Sequence, residues 1–596
     1  MAQLNIVRAS AGSGKTFRLT LEYLSHLYNN TDDYSHILAV TFTNKATEEM
    51  KSRIIRVLSE LAGGKSCEYL QPLLIITGRS EKEIRLKSDI ILKKILHNYS
   101  RFSVSTIDSF FQHIIRSFIR EIGIQGGYRI EMNDDLILQK AIDNLFTRIE
   151  EDKALLNWLT EFTESKIEGS QSWNMKREMT RLGREIFKEG YKQFSENINR
   201  KLHDKNFLSD YRKELFRIKN TFESILTGYG KDGVEAIEHN GLLVDDFFQK
   251  SKGPAGYFYR LAAGDIPEPN SYVLKAFHDI EIWSKQENPG LSLIRKVCED
   301  SLHPLLQKVI RFYLDNKKEY KTAETLLKNF YTLGILTDIT KSVYHYTREK
   351  NLFMISDSAQ FINRIIDNND TPFIYEKTGN YFHHFLIDEF QDTSGFQWKN
   401  FKPLISNSLS QDYSCLVVGD VKQSIYRWRN SNWEILAYDI LDDFYSGAIH
   451  SETLEINWRS KKNIVLFNNA FFNVASKILH QQFSSESETD DETNGKSINN
   501  LYADIKQNLP ERTPDGGYIR IGLLDDSLNY DNTVCIEVVK IIKQLQDSGY
   551  SPNDIAIITR SKKEGKKWLI TFSGIIKIRN QAHDISSMLS QMNLYF

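Results

Sequence analysis

The segment Ala9-Ser10-Ala11-Gly12-Ser13-Gly14-Lys15-Thr16 constrains the fold of this chain more than any other. It stands between an apolar run, Leu4 to Val7, and a stretch in which Phe17, Leu21, Leu24 and Tyr28 recur at helical spacing. A glycine-rich loop between a strand and a helix is the setting a P-loop requires. Gly12 and Gly14 let backbone N–H groups turn inward around phosphate oxygens, and the following helix presents its N-terminus to the anion. Lys15 reaches the outer phosphates, and Thr16 can ligate magnesium. Ala9 stands where the general pattern has glycine, but the two glycines nearest the lysine remain.

The surrounding pattern is that of an α/β domain with a parallel sheet. His36 to Phe42 reads as a second strand, followed by Ala46, Met50, Ile54, Val57 and Leu61 on one helical face. Phe102 to Ile107 is a third strand candidate. Residues 1 to 125 carry 17 Lys+Arg against 12 Asp+Glu, a local excess that suits a solvated surface as well as a nucleic-acid footprint. From about 126 to 375 charged amphipathic stretches dominate, interrupted by the Gly/Pro-containing segment Lys252 to Asn270, and predict a mostly helical insertion. Strand signals return at Phe385 to Ile387 and Cys415 to Val418. Residues 484 to 497 are polar and acidic and read as a surface loop. Tyr518 to Leu524 and Ile555 to Thr559 read as two further strands.

A P-loop needs an acidic partner at the end of a neighbouring strand. His384-Phe385-Leu386-Ile387-Asp388-Glu389 offers one: Asp388 would bind magnesium, and Glu389 would be the general base that polarises the hydrolytic water.

With Asp388-Glu389-Phe390-Gln391-Asp392-Thr393 the chain resembles the superfamily-one DNA helicases of the UvrD/Rep type, and within them the RecB/AddA branch. The likeness is carried, in order, by ASAGSGKT (Ala9 to Thr16), AVTFTNKATEEM (Ala39 to Met50), STIDSFFQ (Ser105 to Gln112), IDEFQDTS (Ile387 to Ser394), VVGDVKQSIYRWRNSN (Val417 to Asn432) and LEINWRS (Leu454 to Ser460). The resemblance implies ATP and Mg2+ as cofactors. It makes Gln423 the glutamine that senses the terminal phosphate, Arg459 the arginine finger, and Trp458 the aromatic residue that stacks on adenine. Phe42 and Asn44 fall where the family faces nucleic acid. Tyr426, Trp428 and Arg429 combine aromatic faces with positive charge, as sequence-independent single-strand binding requires. Arg427 and Arg429 flank Trp428, which makes its full burial costly.

The resemblance also implies the architecture. Residues 1–125 would be the N-terminal part of a first RecA-like domain, 126–375 a helical insertion, 376–453 the rest of the first domain, and 454–596 a partial second RecA-like domain. After Thr559-Arg560-Ser561 the likeness ends, so the chain reads as the front half of such an enzyme, cut short or shifted in frame. The implied activity is an ATP-dependent helicase or translocase in double-strand-break repair and recombination, moving three-prime to five-prime on single-stranded and duplex DNA. A RecC/AddB-like subunit is the implied partner. The rival reading is a nucleotide-responsive DNA-binding module without motor activity. A generic P-loop kinase or transporter ATPase explains neither Gln423 to Arg429 nor the insertion.

Composition narrows the setting. The chain has 596 residues and a formal net charge of −2, which excludes a histone-like polycation. Its four cysteines form no CxxC pair, so neither a disulfide framework nor a cysteine-built metal site is expected. No apolar run reaches the roughly 18 residues of a membrane span, and the first residues lack a signal-peptide pattern. A cytoplasmic protein without membrane contact is the expectation.

Overall fold

The structure is a computed structural model. It describes residues 3–117, 128–149, 152–168, 174–192, 201–202, 204–283, 291–367, 378, 381–486, 498–523, 530–561, 563–566 and 593–595. Two compact units are present: Met1–Arg459 with Phe472–Pro510, and Ser460–Phe471 with Glu511–Phe596.

The first unit is organised around a six-stranded sheet. Its strands are β1 (Leu4–Ala9), β2 (Ile37–Thr41), β3 (Val104–Thr106), β6 (His384–Ile387), β7 (Cys415–Gly419) and β8 (Ile449–Leu454), in the order β3-β2-β6-β7-β1-β8. Every pairing is parallel, with Leu4 opposite both Cys415 and Ile449, and Ile37 opposite His384. The strands β2, β6 and β7 are buried along their whole length, which explains their unbroken apolar runs: both faces of a parallel sheet are covered. On one face Val7, Leu416 and Val418 pack against α1 (Lys15–Asn29), α2 (Asn44–Ala62) and the helix Glu81–His97. On the other, Ile6, Phe385 and Val417 pack against the helices Ile107–Ser117 and Gly395–Ser410 and the turns Ile435–Asp443.

Between β3 and β6 the chain is mostly helical, with separate cores around Trp158, Phe330 and Ile339 and around Phe258, Trp283 and Ile310. Two short strands also occur there, β4 (Arg129–Glu131) and β5 (Leu352–Met354), paired in parallel. The segment Lys252 to Asn270, read from its Gly and Pro as a break, contains the helix Pro254–Ala262. Pro254 lies in its first turn, where a missing N–H costs nothing. β8 had no clear signal because the strand IHSETL is only half-covered at the sheet edge.

In the second unit the helix Tyr530–Asp547 packs Ile542 against Ile555, beside the parallel pair β9 (Ala556–Ile558) and β10 (Asn593–Tyr595). The expected strand at Tyr518 to Leu524 is not formed over 518–523, and Leu524 lies outside the described residues. Tyr518 and Leu523 are 79% and 95% exposed, so apolar alternation there is not matched by a buried face. Of the acidic stretch 484–497, residues 484–486 close the helix Lys462–Glu486 and the rest lies outside the described residues.

Candidate nucleotide and nucleic-acid site

The parallel order brings the ends of β1, β2, β6, β7 and β8 to one edge of the sheet, where loops after strands can surround a ligand. After β1 the chain turns through Gly12 (φ 80°) and Gly14 (φ 94°), both in the left-handed region. A Cβ on Gly12 would also meet Asn457 Oδ1 at 2.9 Å. Ser13 donates from its N–H and hydroxyl to the Ser10 carbonyl at 3.1 and 2.7 Å, which closes the loop. Gly14 caps α1 without a side-chain hydrogen bond, and the first turn holds no acidic residue. The positive end of the helix therefore has no local carboxylate to neutralise it. Thr16 is half-buried in that first turn.

Lys15 closes a ring of hydrogen bonds. Its ammonium donates to Glu389 Oε2 at 3.1 Å and to Gln423 Oε1 at 3.3 Å. Gln423 Nε2 donates to Asp420 Oδ2 at 2.6 Å, the Asp420 N–H donates to Gln391 Oε1 at 3.0 Å, and Gln391 Nε2 returns to Glu389 Oε2 at 2.7 Å. The loops after β1, β6 and β7 are thus joined through side chains. Glu389 sits at φ 50°, an uncommon conformation for a residue with a Cβ, and strain of this kind concentrates at functional sites.

Asp388 is buried at the end of β6, its N–H held by the Val40 carbonyl at 2.9 Å and its Oδ1 accepting from the Glu389 N–H at 2.9 Å. Burial, and then the Glu389 carboxylate, push Asp388 up to about 6 against the pull of Lys15. Asp392 is pushed up to about 7 for the same two reasons, and its buried Oδ1 has no hydrogen-bond partner. These carboxylates and the Thr16 hydroxyl are hard oxygen donors of the kind magnesium takes. Among the described residues no group of three or more His, Cys, Asp or Glu could hold a metal by itself. Such a donor set fits an ion that keeps waters and shares the nucleotide's phosphates.

The segment after β8 lies on the P-loop. The Trp458 N–H donates to the Gly12 carbonyl at 2.9 Å, and Arg459 is exposed beside it with its backbone N–H on Asn457 Oδ1 at 2.9 Å. The Trp458 ring is 67% exposed near Gly14. Asn457 and Gln507 both donate side-chain N–H groups to the Ala11 carbonyl, at 3.3 and 3.0 Å. Lys422 pairs with Asp504 at 2.7 Å. Asn457, Asp504, Gln507, Gln391 and Asp392 were not assigned to the site from sequence. Gln391 and Asp392 stand within the motif Ile387 to Ser394; the contacts of Asp504 and Gln507 join distant positions and leave no local signal.

Beyond the phosphate end, Phe42 and Tyr426 are 4.6 Å apart between centroids and Tyr426 and Trp428 6.1 Å. The Arg429 guanidinium lies 5.7, 6.0 and 5.0 Å from the Phe42, Tyr426 and Trp428 rings, a cation–π cluster. Trp428 is 67% exposed. Asn44 is exposed at the first position of α2, whose cap is the Thr43 hydroxyl.

A parallel sheet with a phosphate loop after β1 and an acidic pair after β6 defines a P-loop NTPase of RecA-like fold. The model of the UvrD/REP helicase N-terminal domain matches residues 1–444, and the chain belongs to that family. It is 25% identical over 571 residues to an ATP-dependent helicase/nuclease subunit of Clostridium beijerinckii, covering 88% of this chain and 41% of that protein. A protein of the same description from Lactococcus lactis subsp. cremoris is 23% identical over 627 residues, covering 94% and 46%. One from Streptococcus mutans is 25% identical over 495 residues, covering 78% and 37%. The chain spans less than half the length of these relatives.

Proposed function

We propose that this chain belongs to an ATP-dependent DNA helicase or translocase of the RecB/AddA type, acting in double-strand-break repair and recombination and moving three-prime to five-prime. The observation that carries the reading is the hydrogen-bonded ring Lys15, Gln423, Asp420, Gln391 and Glu389, which ties the P-loop to the loops after β6 and β7. The second of these loops continues directly into Tyr426, Trp428 and Arg429.

In this reading Lys15 leaves Glu389 to meet the outer phosphates when ATP enters. Glu389, released, takes a proton from the attacking water, and Lys15 and Arg459 balance the charge that spreads over the transferring phosphoryl group. Thr16 and Asp388 would hold magnesium, which would neutralise the phosphate oxygens. Gln423 reads the terminal phosphate, and Trp458 stacks on adenine. Residues Ala9 to Gly14 cradle the phosphates. Phe42, Asn44, Tyr426, Trp428 and Arg429 hold single-stranded DNA by stacking and charge. The four-part division at 125, 375 and 453 belongs to the same proposal. So does a partner of the RecC/AddB kind, in keeping with the description of the relatives as one subunit of a helicase/nuclease. No helix of the described residues is long and apolar enough to cross a membrane, and a cytoplasmic site of action is proposed.

The test is release of phosphate from ATP by the purified chain with and without single-stranded oligonucleotide. Stimulation by DNA that disappears in Lys15→Ala supports the reading. Nucleotide and DNA binding with no hydrolysis favours a nucleotide-responsive binding module instead.

A further inference from the structure

Glu189 comes from the helical region, far in sequence from both ligand sites, yet its carboxylate lies against the segment that follows the acidic pair. Its Oε2 accepts from the Phe396 N–H at 3.2 Å and lies against Gly395, where an added Cβ would stand 3.3 Å from it. These groups are the start of the 16-residue helix Gly395–Ser410, whose first turn has no acidic residue of its own. Glu189 therefore supplies the negative charge that the helix N-terminus lacks. Burial raises its carboxyl above the usual range, while the helix start and Lys192 hold it down.

The same residue touches the nucleic-acid side. The Glu189 backbone N–H donates to Asn430 Oδ1 at 3.2 Å, immediately after the Trp428 and Arg429 cluster. Asn430 is left-handed, at φ 67°. The two segments that Glu189 bridges are also joined directly: the Asn432 N–H donates to the Thr393 carbonyl at 3.0 Å, and Ser394 and Ser431 form an isolated antiparallel bridge. Glu189 is itself anchored, since Lys192 donates to the Ser356 carbonyl at 2.7 Å and pairs with Asp357 at 2.5 Å.

We propose that Glu189 is a positioning residue that couples DNA binding to the nucleotide site, by holding residues 392–396 and 428–432 as one body against the helical region. The assignment rests on the function proposed above. A displacement of the 426–430 loop by DNA is carried through Asn430 and the 393–432 contact to the chain that bears Asp388, Glu389 and Asp392. Without the Glu189 carboxylate the helix start loses its tie to the helical region, and the Asn430 contact alone holds the joined segments there, so a shift of the loop is no longer passed on as a whole.

The experiment measures affinity for a non-hydrolysable ATP analogue, with and without saturating oligo-dT, in the parent chain, Glu189→Ala, Glu189→Gln and Asn430→Gly. Linked sites commonly change each other's affinity by about fivefold or more. The parent should show such a factor. Glu189→Ala and Asn430→Gly should bring it below about twofold while each ligand alone binds within about twofold of the parent, and Glu189→Gln, which keeps an acceptor oxygen, should restore much of it. Asn430→Gly preserves the left-handed backbone, so it reports even if Glu189→Ala folds poorly. A Glu189→Ala chain that couples as strongly as the parent overturns the assignment alone. So does one whose lost coupling merely follows an equal loss of either single-ligand affinity. A parent that binds neither ligand, or binds both with no effect of one on the other, overturns the proposed function and the assignment with it.

Discussion

Lys15 Nζ and Glu389 Oε2 are 3.1 Å apart, an ion pair between the first turn of α1 and the second residue after β6. The lysine side chain is largely buried, so its charge is matched by a carboxylate rather than by water. Nucleotide phosphates would replace that carboxylate with a more highly charged partner. The pair thus ties the first turn of α1 to the loop after β6.

Lys15→Ala should remove most ATP affinity, because the lysine is the cation aimed at the outer phosphates and a hydrogen bond to a charged group contributes about 1.5–3 kcal/mol. Equilibrium binding of a fluorescent ATP analogue measures this directly. Affinity unchanged from the parent would remove the phosphate site from its assigned place.

Glu389→Gln should bind nucleotide and hydrolyse it slowly: the amide keeps the shape and the contact with Gln391 but has no basicity. Asp388→Asn should instead shift the magnesium requirement, since Asp388 is the buried hard-oxygen donor nearest the end of β6. A magnesium titration of phosphate release at fixed ATP separates the two. Superimposable profiles would mean that base and metal roles are divided wrongly.

Trp428→Ala should weaken single-stranded DNA binding by about 1–3 kcal/mol if one base stacks on the ring, with duplex bound less well than single strand in the parent. The ring is mostly exposed, so the substitution should leave the denaturation midpoint within a few tenths of a kcal/mol in stability terms. Anisotropy of a labelled oligonucleotide gives the affinity. A folded variant that binds as tightly as the parent assigns Trp428 to packing against Tyr426 and Arg429 only.

How much of this was legible beforehand depended on whether the signal was local. Gly12, Gly14 and Lys15 are neighbours in sequence because a strand, a tight loop and a helix must follow one another, and β6 announced Asp388 and Glu389 because a strand covered on both faces has no polar interruption until it ends. Glu189, Asp504 and Gln507 make their contacts across long stretches of chain, and an isolated Glu, Asp or Gln carries no period or spacing. β8 was missed for a related reason: an edge strand with one half-covered face needs no apolar run. At Tyr518 to Leu523 the opposite error arose, since alternation is necessary for a half-buried strand but does not supply the partner that a ladder requires.

Acid stability should depend on a pair of stacked imidazoles at the opposite end of the sheet from the P-loop. His26 on α1 and His384 at the start of β6 have ring centroids 3.8 Å apart, and His384 donates from Nδ1 to the Ser414 carbonyl at 2.9 Å. Burial, and then the Arg18 charge, lower His26 to about 4; burial, then His26 itself, lower His384 to about 3, with Glu22 nearby opposing. Unfolded histidine titrates near 6.5. As pH falls below that value the unfolded chain binds these protons and the folded chain does not, so the stability present above about pH 6.5 is lost through the window down to about 4 for His26 and 3 for His384. Each ring contributes about 1.4 kcal/mol per pH unit within its window. Asp388 and Asp392 act in the reverse sense: their raised folded values give stability that is present below the unfolded carboxylate range and is lost as pH rises through about 6 and 7. The parent's own pH profile therefore mixes the two, and the informative quantity is a difference. Relative to His26→Gln/His384→Gln, the parent should lose about 3 kcal/mol between pH 6.5 and 5, read from urea unfolding at a series of pH values. A difference that stays level over that range would show that the stacked rings protonate in the folded chain as readily as free imidazoles.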